Sequence, residues 1–288
     1  MVSSPLVVCC HGITKNPETN EFMMVMQYAD NGSLRQHLNN NFSSINWFEK
    51  LEILKKIARG LNEIHEKGLI HHDFHCNNIL NSHDNYTFIT DLGLCQPANV
   101  KPTQNNNKNI YGVLPYVAPE VLRGKEYTQA SDIYGFGIIA YEVCTGFPPY
   151  HDVAHDEFLA IKICQGLRPK CNYKIPQLIL DIIKQYWDAD PLKRLKADKL
   201  YELLKNLYEL KKDDENSLIN KQMEEAEEIN KQSPSSIMPL SLYNGINSCI
   251  THPQAVYTSR LLDFNNLPEP KNAIDSDNDN GKTEYSGN

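Results

Sequence analysis

Apolar and polar residues recur with different periods along this chain, and each change of period marks an element. Phe22-Met23-Met24-Val25-Met26 is continuously apolar, the pattern of a strand buried on both faces. Residues 5–13 read as a second strand, joined to the first by the polar stretch from Thr14 to Asn20 with Pro17 inside it. On this reading Lys15 belongs to the turn, and Met23, Met24 and Met26 belong to the core. Ala29-Asp30-Asn31-Gly32-Ser33-Leu34 then breaks the strand and opens a helix. Further on the period lengthens. Trp47, Leu51, Leu54, Ile57, Ala58, Leu61 and Ile64 recur mostly at spacings of three and four, which predicts a helix over 47–66 with those residues on one face. Glu49, Glu52, Lys56, Arg59 and Glu63 fall on the other side, and Gly68 suits the left-handed residue that ends a helix. Asn78–Asn81 and Tyr86–Thr90 read as a hairpin across 82–85. Further helices are predicted over 131–145, 156–165, 176–187 and 197–211.

From about residue 212 the pattern fades. Lys211-Lys212-Asp213-Asp214-Glu215-Asn216 opens a polar stretch and Asp275-Ser276-Asp277-Asn278-Asp279-Asn280-Gly281 closes it. Such a tail offers little apolar surface to offset the entropy of ordering, so 212–288 is expected to be largely disordered. One island, Tyr257-Thr258-Ser259-Arg260-Leu261-Leu262-Asp263-Phe264, has the composition to dock on the domain or on a partner. The competing reading is a solvated linker with incidental apolar residues.

Composition narrows the classes. The chain has 288 residues, of which 41 % are hydrophobic, enough for one large domain with a sizeable core. Its 36 acidic and 28 basic residues give a net charge of −8, which argues against nucleic-acid partners and against a polybasic membrane anchor. No apolar run approaches the ~20 residues that span a bilayer. The eight cysteines are scattered with no C-x-x-C pair, which suggests reduced thiols and a cytoplasmic location. His71/His75 and His151/His155 have a four-residue spacing but fall in predicted loops, so no zinc site is proposed.

The candidate chemistry lies in His71-His72-Asp73-Phe74-His75-Cys76-Asn77-Asn78-Ile79-Leu80, followed by Asp91-Leu92-Gly93. An Asp, an Asn five residues on and a second Asp thirteen residues further meet the needs of phosphoryl transfer from a metal–nucleotide. One carboxylate orients the attacking hydroxyl and accepts its proton. An amide oxygen and a second carboxylate hold Mg²⁺ against the triphosphate. This stretch resembles the catalytic and metal-binding loops of the eukaryotic protein kinases, H-R-D-L-x-x-x-N and D-F-G. Gly112-Val113-Leu114-Pro115-Tyr116-Val117-Ala118-Pro119-Glu120 resembles the A-P-E end of the activation segment. Ser131-Asp132-Ile133-Tyr134-Gly135-Phe136-Gly137 resembles the start of the large buried helix of the C-lobe. Trp187-Asp188-Ala189-Asp190-Pro191-Leu192-Lys193-Arg194 resembles the late C-lobe signature. The wording is closest to the tyrosine-kinase-like branch of the serine/threonine kinases, over residues 6 to about 210.

The resemblance implies an α+β, protein kinase-like fold: a mostly helical C-lobe over 29–211 and only a partial N-lobe sheet in 1–28. It implies ATP and Mg²⁺ as cofactors and a protein substrate. It makes Asp73 the catalytic base, Asn78 and Asp91 the metal ligands, and Met26 the gatekeeper. The backbones of Gln27 and Ala29 would bind the adenine edge, with Leu80 as its floor. Arg194 would pair with Glu120. His71 would be a packed structural residue. Asp132, helped by Ser131, has the chemistry of a helix N-cap; the resemblance adds hydrogen bonds to the catalytic-loop backbone.

The chain also departs from the family pattern. No G-x-G-x-x-G and no V-A-I-K-like Lys precede residue 22, so the chain is expected to begin where a kinase enters its fourth strand. His72 stands where the motif has Arg and cannot form the bidentate fork that grips a phosphorylated activation loop. His75 stands for the usual Lys, Val113 for Thr and Leu92 for Phe. The expected function is transfer of the ATP γ-phosphate to protein Ser/Thr, less so Tyr, impaired by the missing loop and Lys. The alternative is a non-catalytic, pseudokinase-like scaffold whose tail recruits partners. A small-molecule kinase is a weaker third reading, disfavoured by the A-P-E end.

Overall fold

A computed structural model describes residues 6–82, 86–98, 110–170, 172–232 and 251–273. Its elements, in chain order, begin with strands β1 (Cys10–Lys15) and β2 (Phe22–Met26) and helices α1 (Leu34–Asn41) and α2 (Trp47–Glu66). Short strands β3 (Leu69–Ile70), β4 (Ile79–Asn81), β5 (Thr87–Ile89), β6 (Gln96–Pro97) and β7 (Ile110–Gly112) follow. Helices α3 (Pro119–Leu122), α4 (Gln129–Thr145), α5 (Glu157–Cys164), α6 (Gln177–Tyr186), α7 (Ala197–Asp213) and α8 (Leu218–Gln232) come next, and strand β8 (Arg260–Leu262) is last. The strands form two-stranded antiparallel ribbons: β1 with β2, β3 with β6, β4 with β5, and β7 with β8. The architecture is α+β with a helical body.

Helix α2 forms where the period predicts it. Asn46 caps it by accepting from the Glu49 N–H at 3.0 Å, while the Glu49 carboxylate accepts from the Asn46 N–H at 2.8 Å. Gly68, with φ 69°, turns the chain out of it in the left-handed region. Its apolar face packs on α4 and α7. Helix α4 is buried from Ser131 to Thr145, as its nearly all-apolar circumference requires. Gly135 lets that helix approach the loop at 71–78, since a Cβ there would lie 2.9 Å from Phe74 O. The loop therefore rests directly on the long buried helix α4.

Several expectations are corrected. Strand β1 runs Cys10–Lys15, so Lys15 lies in a strand, paired with Phe22, and the turn is confined to 16–21. Residues 6–8 leave that ribbon and pair with Ile89 instead, through Ile89 N–H to Leu6 O at 2.9 Å and Val8 N–H to Ile89 O at 3.0 Å. The run 22–26 is not buried, and Met23, Met24 and Met26 are exposed rather than core. The ribbon has two strands only, and the described residues cover neither of its faces. Helix α4 starts at Gln129, with Thr128 as N-cap; Asp132 sits in its first turn and leaves the capping to Thr128. The expectation of a largely disordered tail fails over 218–232, which is α8, and over 251–273, which packs along the helical body. Residues 83–85, which include most of the hairpin turn, and Cys171 and Cys249 lie outside the described residues.

Candidate active site

The loop 71–78 is held from both sides. From α4, the Asp132 carboxylate accepts from the His71 N–H at 2.8 Å and from the His72 N–H at 3.1 Å. Its Oδ2 also faces His65 Nε2 at 2.9 Å. These bonds hold His72 at φ 71°, a left-handed conformation that a non-glycine residue adopts only when its surroundings fix it. From the β4–β5 side, His71 Nε2 donates to Thr90 O at 3.0 Å and the Thr90 N–H donates to Asn78 O at 2.9 Å. Burial lowers the His71 pKa despite the nearby Asp132 charge, so the ring is a neutral, packed spacer between loop and hairpin.

Asp73 is 5 % exposed and sits at the turn of this loop. Burial by itself would raise its pKa. His75, a hydrogen bond from Ser259 and His71 outweigh that, and the carboxyl stays below its ordinary value. His75 Nε2 stands 3.4 Å from Asp73 Oδ1. Its Nδ1 accepts from the Asn77 N–H at 3.2 Å, which leaves a hydrogen on Nε2, on the side of the carboxylate. The imidazole thus supplies a donor beside Asp73 where the family pattern has Lys.

Asn78 donates through Nδ2 to Asp73 O at 2.9 Å and lies 3.4 Å from Asp73 Oδ2. That turns its Nδ2 to Asp73 and leaves its amide oxygen as the atom that could face a cation. Asp91 follows β5 at φ 57° and ψ 58°, exposed, with no capping bond from its carboxylate. The β4–β5 pairing of Ile79 with Ile89 brings the Asn78 and Asp91 ends of the hairpin together. One amide oxygen and one carboxylate suit Mg²⁺, which takes few protein oxygens and fills its octahedron with water and phosphate. Among the described residues no group of three His, Cys, Asp or Glu forms a metal cage.

Of the residues expected on the adenine side, Leu80 lies in β4 of this hairpin, and Gln27 and Ala29 lie in the segment that leads to its bridge partner Ser33. The Gln27 N–H donates to Cys9 O at 2.8 Å, which leaves the Gln27 carbonyl for a ligand. Ala29 is half-buried, and its carbonyl accepts from the Gly32 N–H at 3.3 Å. Leu80 is half-buried and bridges to Ser33.

A family model described as protein tyrosine and serine/threonine kinase matches residues 1–204. The chain belongs to this family. By family it is a protein kinase, and kinases of this family use ATP and Mg²⁺. It is 29 % identical over 219 residues to a protein kinase and PP2C-like domain-containing protein of Arabidopsis thaliana, covering 65 % of this chain and 33 % of that protein. It is 32 % identical over 208 residues to the probable serine/threonine-protein kinase roco5 of Dictyostelium discoideum, covering 67 % of this chain and 7 % of that one. It is 31 % identical over 167 residues to the serine/threonine-protein kinase CLA4 of Candida albicans, covering 58 % and 17 %. The chain spans a third or less of the length of these relatives.

In this kinase domain the Arg194 guanidinium binds Glu120 through two parallel bonds of 2.7 and 2.8 Å, as the resemblance implied. Other supports escaped sequence reasoning. Arg35 pairs with Glu142 at 2.5 Å and donates to the Tyr116 hydroxyl at 3.0 Å, beneath the loop. His65 meets Asp132 from a distance of 67 residues. Ser259, from the island read either as a solvated linker or as docking on the domain or a partner, lies beside Asp73. No local spacing signals such pairs, because the partners are far apart in sequence.

Proposed function

We propose that this chain carries the acceptor-activating and metal-binding half of a serine/threonine protein kinase site, transferring the γ-phosphate of ATP to protein Ser/Thr hydroxyls, less so Tyr. The observation that carries this reading is the joining of Asp73 and Asn78 in one loop, by the 2.9 Å bond from Asn78 Nδ2 to Asp73 O. Asp73 orients the attacking hydroxyl and takes its proton. His75 places its Nε2 3.4 Å from the Asp73 carboxylate and favours its charged form. Asn78 and Asp91 hold Mg²⁺, which, when bound, neutralises charge on the triphosphate. Gln27, Ala29 and Leu80 receive the adenine. Turnover of the 288-residue polypeptide by itself is slow, because its sequence shows no Gly-rich loop and no phosphate-clamping Lys. Losing one preorganised charge-stabilising group costs on the order of 10²–10³ in rate. A cytoplasmic location belongs to the same proposal, supported by the free thiols of Cys76, Cys144 and Cys164 in the core.

A second reading, a non-catalytic interaction module, is favoured by the β1–β2 ribbon. Ile13 is 71 % exposed and Phe22 79 %, with Met24 beside them, and contiguous apolar exposure of this kind marks interaction surfaces. A thermal-shift titration of the full chain with Mg²⁺ and ATP, with Asp91→Asn beside it, separates the two. Binding raises stability by RT ln(1 + [L]/Kd). A saturable, Mg²⁺-dependent rise lost in Asp91→Asn supports the kinase site. A cooperative melt that ATP does not move supports the interaction module.

A further inference from the structure

Residues 251–273 lie along the helical body, and their middle crosses the candidate active site. The His252 N–H donates to His151 O at 2.7 Å and the His155 N–H donates to Gln254 O at 3.0 Å, which fixes the entry of the segment. Tyr257 then fills a polar and aromatic niche. Its hydroxyl donates to Pro149 O at 3.0 Å, and the His155 ring packs edge-on against it at 4.9 Å. The Arg35 guanidinium lies over its ring at 5.1 Å, and its carbonyl accepts from Asn77 Nδ2 at 3.0 Å. Strand β8 continues antiparallel to β7, pairing Arg260 with Gly112, Leu261 with Tyr111 and Leu262 with Ile110. The Leu262 side chain is buried, 3 % exposed. Beyond it, Arg123 Nε donates to Leu267 O at 3.1 Å and the Lys271 N–H donates to Cys164 O at 2.9 Å.

Thr258 and Ser259 lie between these two anchored stretches, with Ser259 next to β8. A Cβ on Gly112, the partner of Arg260, would stand 3.9 Å from Asp73 Oδ1, so β7 brings this end of β8 beside the base. The Ser259 side chain lies beside the Asp73 carboxylate and helps to hold its pKa down, and the residue is exposed. An exposed hydroxyl beside a carboxylate that can take its proton is the placement of an acceptor.

We propose that residues 256–262 of the same chain lie as a built-in substrate in the groove between the loop 71–78 and β7, and that Ser259 is the phosphoacceptor. The proposal rests on the kinase reading above and names the peptide class of that site. The groove takes an extended strand with an aromatic residue two places before the hydroxyl, in the Tyr257 niche, and a leucine three places after it, in the Leu262 pocket. In the transfer, Ser259 Oγ forms a bond to the γ-phosphorus of ATP. The bond from that phosphorus to the β–γ bridging oxygen breaks and ADP leaves. The hydroxyl proton passes to the Asp73 carboxylate and from there to water. No electrons are exchanged. Until it is displaced, the same segment excludes other acceptor peptides.

The test is phosphosite mapping by mass spectrometry after long incubation of the full chain with Mg²⁺ and ATP, beside Ser259→Ala, Asp73→Asn and Leu262→Asp, with dephosphorylated casein present. Phosphate is expected on Ser259, at a rate per molecule unchanged by tenfold dilution, and absent in Asp73→Asn. Leu262→Asp, which empties the leucine pocket, is expected to lower Ser259 phosphate at least tenfold and to raise amide exchange at Tyr111 and Gly112. Phosphate on casein or elsewhere on the chain but not on Ser259 would overturn the acceptor role and leave the kinase reading standing. Phosphate on neither chain nor casein overturns both. Unchanged exchange at Tyr111 and Gly112 in Leu262→Asp would overturn the seating of the segment, whatever the activity.

Discussion

Arg194 grips Glu120 with both side chains nearly out of water, through bonds of 2.7 and 2.8 Å. The guanidinium also donates to Asp188 O at 2.7 Å and Ala130 O at 3.0 Å, so almost none of its donors is left over. The pair ties α3 to the turn before α7 and fixes the segment that carries β7.

Breaking one partner leaves the other charge buried. Arg194→Met is expected to cost about 3–5 kcal/mol in urea denaturation. Pairing it with Glu120→Leu should recover much of that loss, because the double variant buries no orphaned charge. A double variant as unstable as the sum of the singles would show that the pair acts through packing instead.

Asp132 organises the loop at 71–78 by accepting two backbone N–H groups and facing His65. Asp132→Asn keeps the shape but weakens charge-assisted acceptance, with a loss of about 1–3 kcal/mol. Amide exchange at His71 and His72 should accelerate more than the global stability change explains. Exchange that merely tracks global unfolding would remove Asp132 from that role.

Lys50 is buried among the rings of Phe42, Trp47 and Tyr173, with its ammonium 3.1 Å from Cys144 O. Burial lowers its pKa from 10.5 to about 8, though Cys144 works the other way. Between those values the unfolded chain holds more protons than the folded one, so the fold gains stability as pH rises from about 8 to 10.5. Below that window both states are protonated and the burial cost, ~3 kcal/mol, is fully present. Lys50→Met should remove this rise and stabilise the protein at pH 7, with the lost ring contacts offsetting part of the gain. Parallel stability–pH curves for wild type and variant would contradict it.

Gly135 faces Phe74 O so closely that an added Cβ would sit 2.9 Å from it, against backbone. Gly135→Ala is expected to cost about 1–3 kcal/mol through overpacking, visible as a drop of several degrees in Tm. The displaced loop should also weaken any Mg²⁺·ATP thermal shift. A variant that melts like wild type would mean that α4 and the loop have room to separate.

The local elements were legible because their signals are local. The three- and four-residue recurrence from Trp47 to Ile64 and the glycine at 68 suffice for α2 and its end. The order of Asp73, Asn78 and Asp91 together with the A-P-E end at Ala118-Pro119-Glu120 suffices for the family, and the hairpin over 78–90 needs only local signals. The apolar run 22–26 misled because burial is not a property of a strand but of what covers it, and this two-stranded ribbon has no cover from the described residues. The polar average of the tail hid α8 and β8 for a related reason: a few apolar residues, Ile219, Met223 and Leu262, are enough once a ready surface receives them.

By itself the sequence determined which groups can do phosphoryl chemistry and in what order they come, since residue type and short spacing decide both. Only the tertiary structure decided what those groups face. Asp132 holding the loop, His75 turning its Nε2–H to Asp73, and Ser259 arriving from 186 residues beyond Asp73 all depend on long chain closures. The entropy of closing such loops grows only slowly with their length, so distant partners meet as readily as near ones once packing favours it, and nothing in local spacing records the meeting.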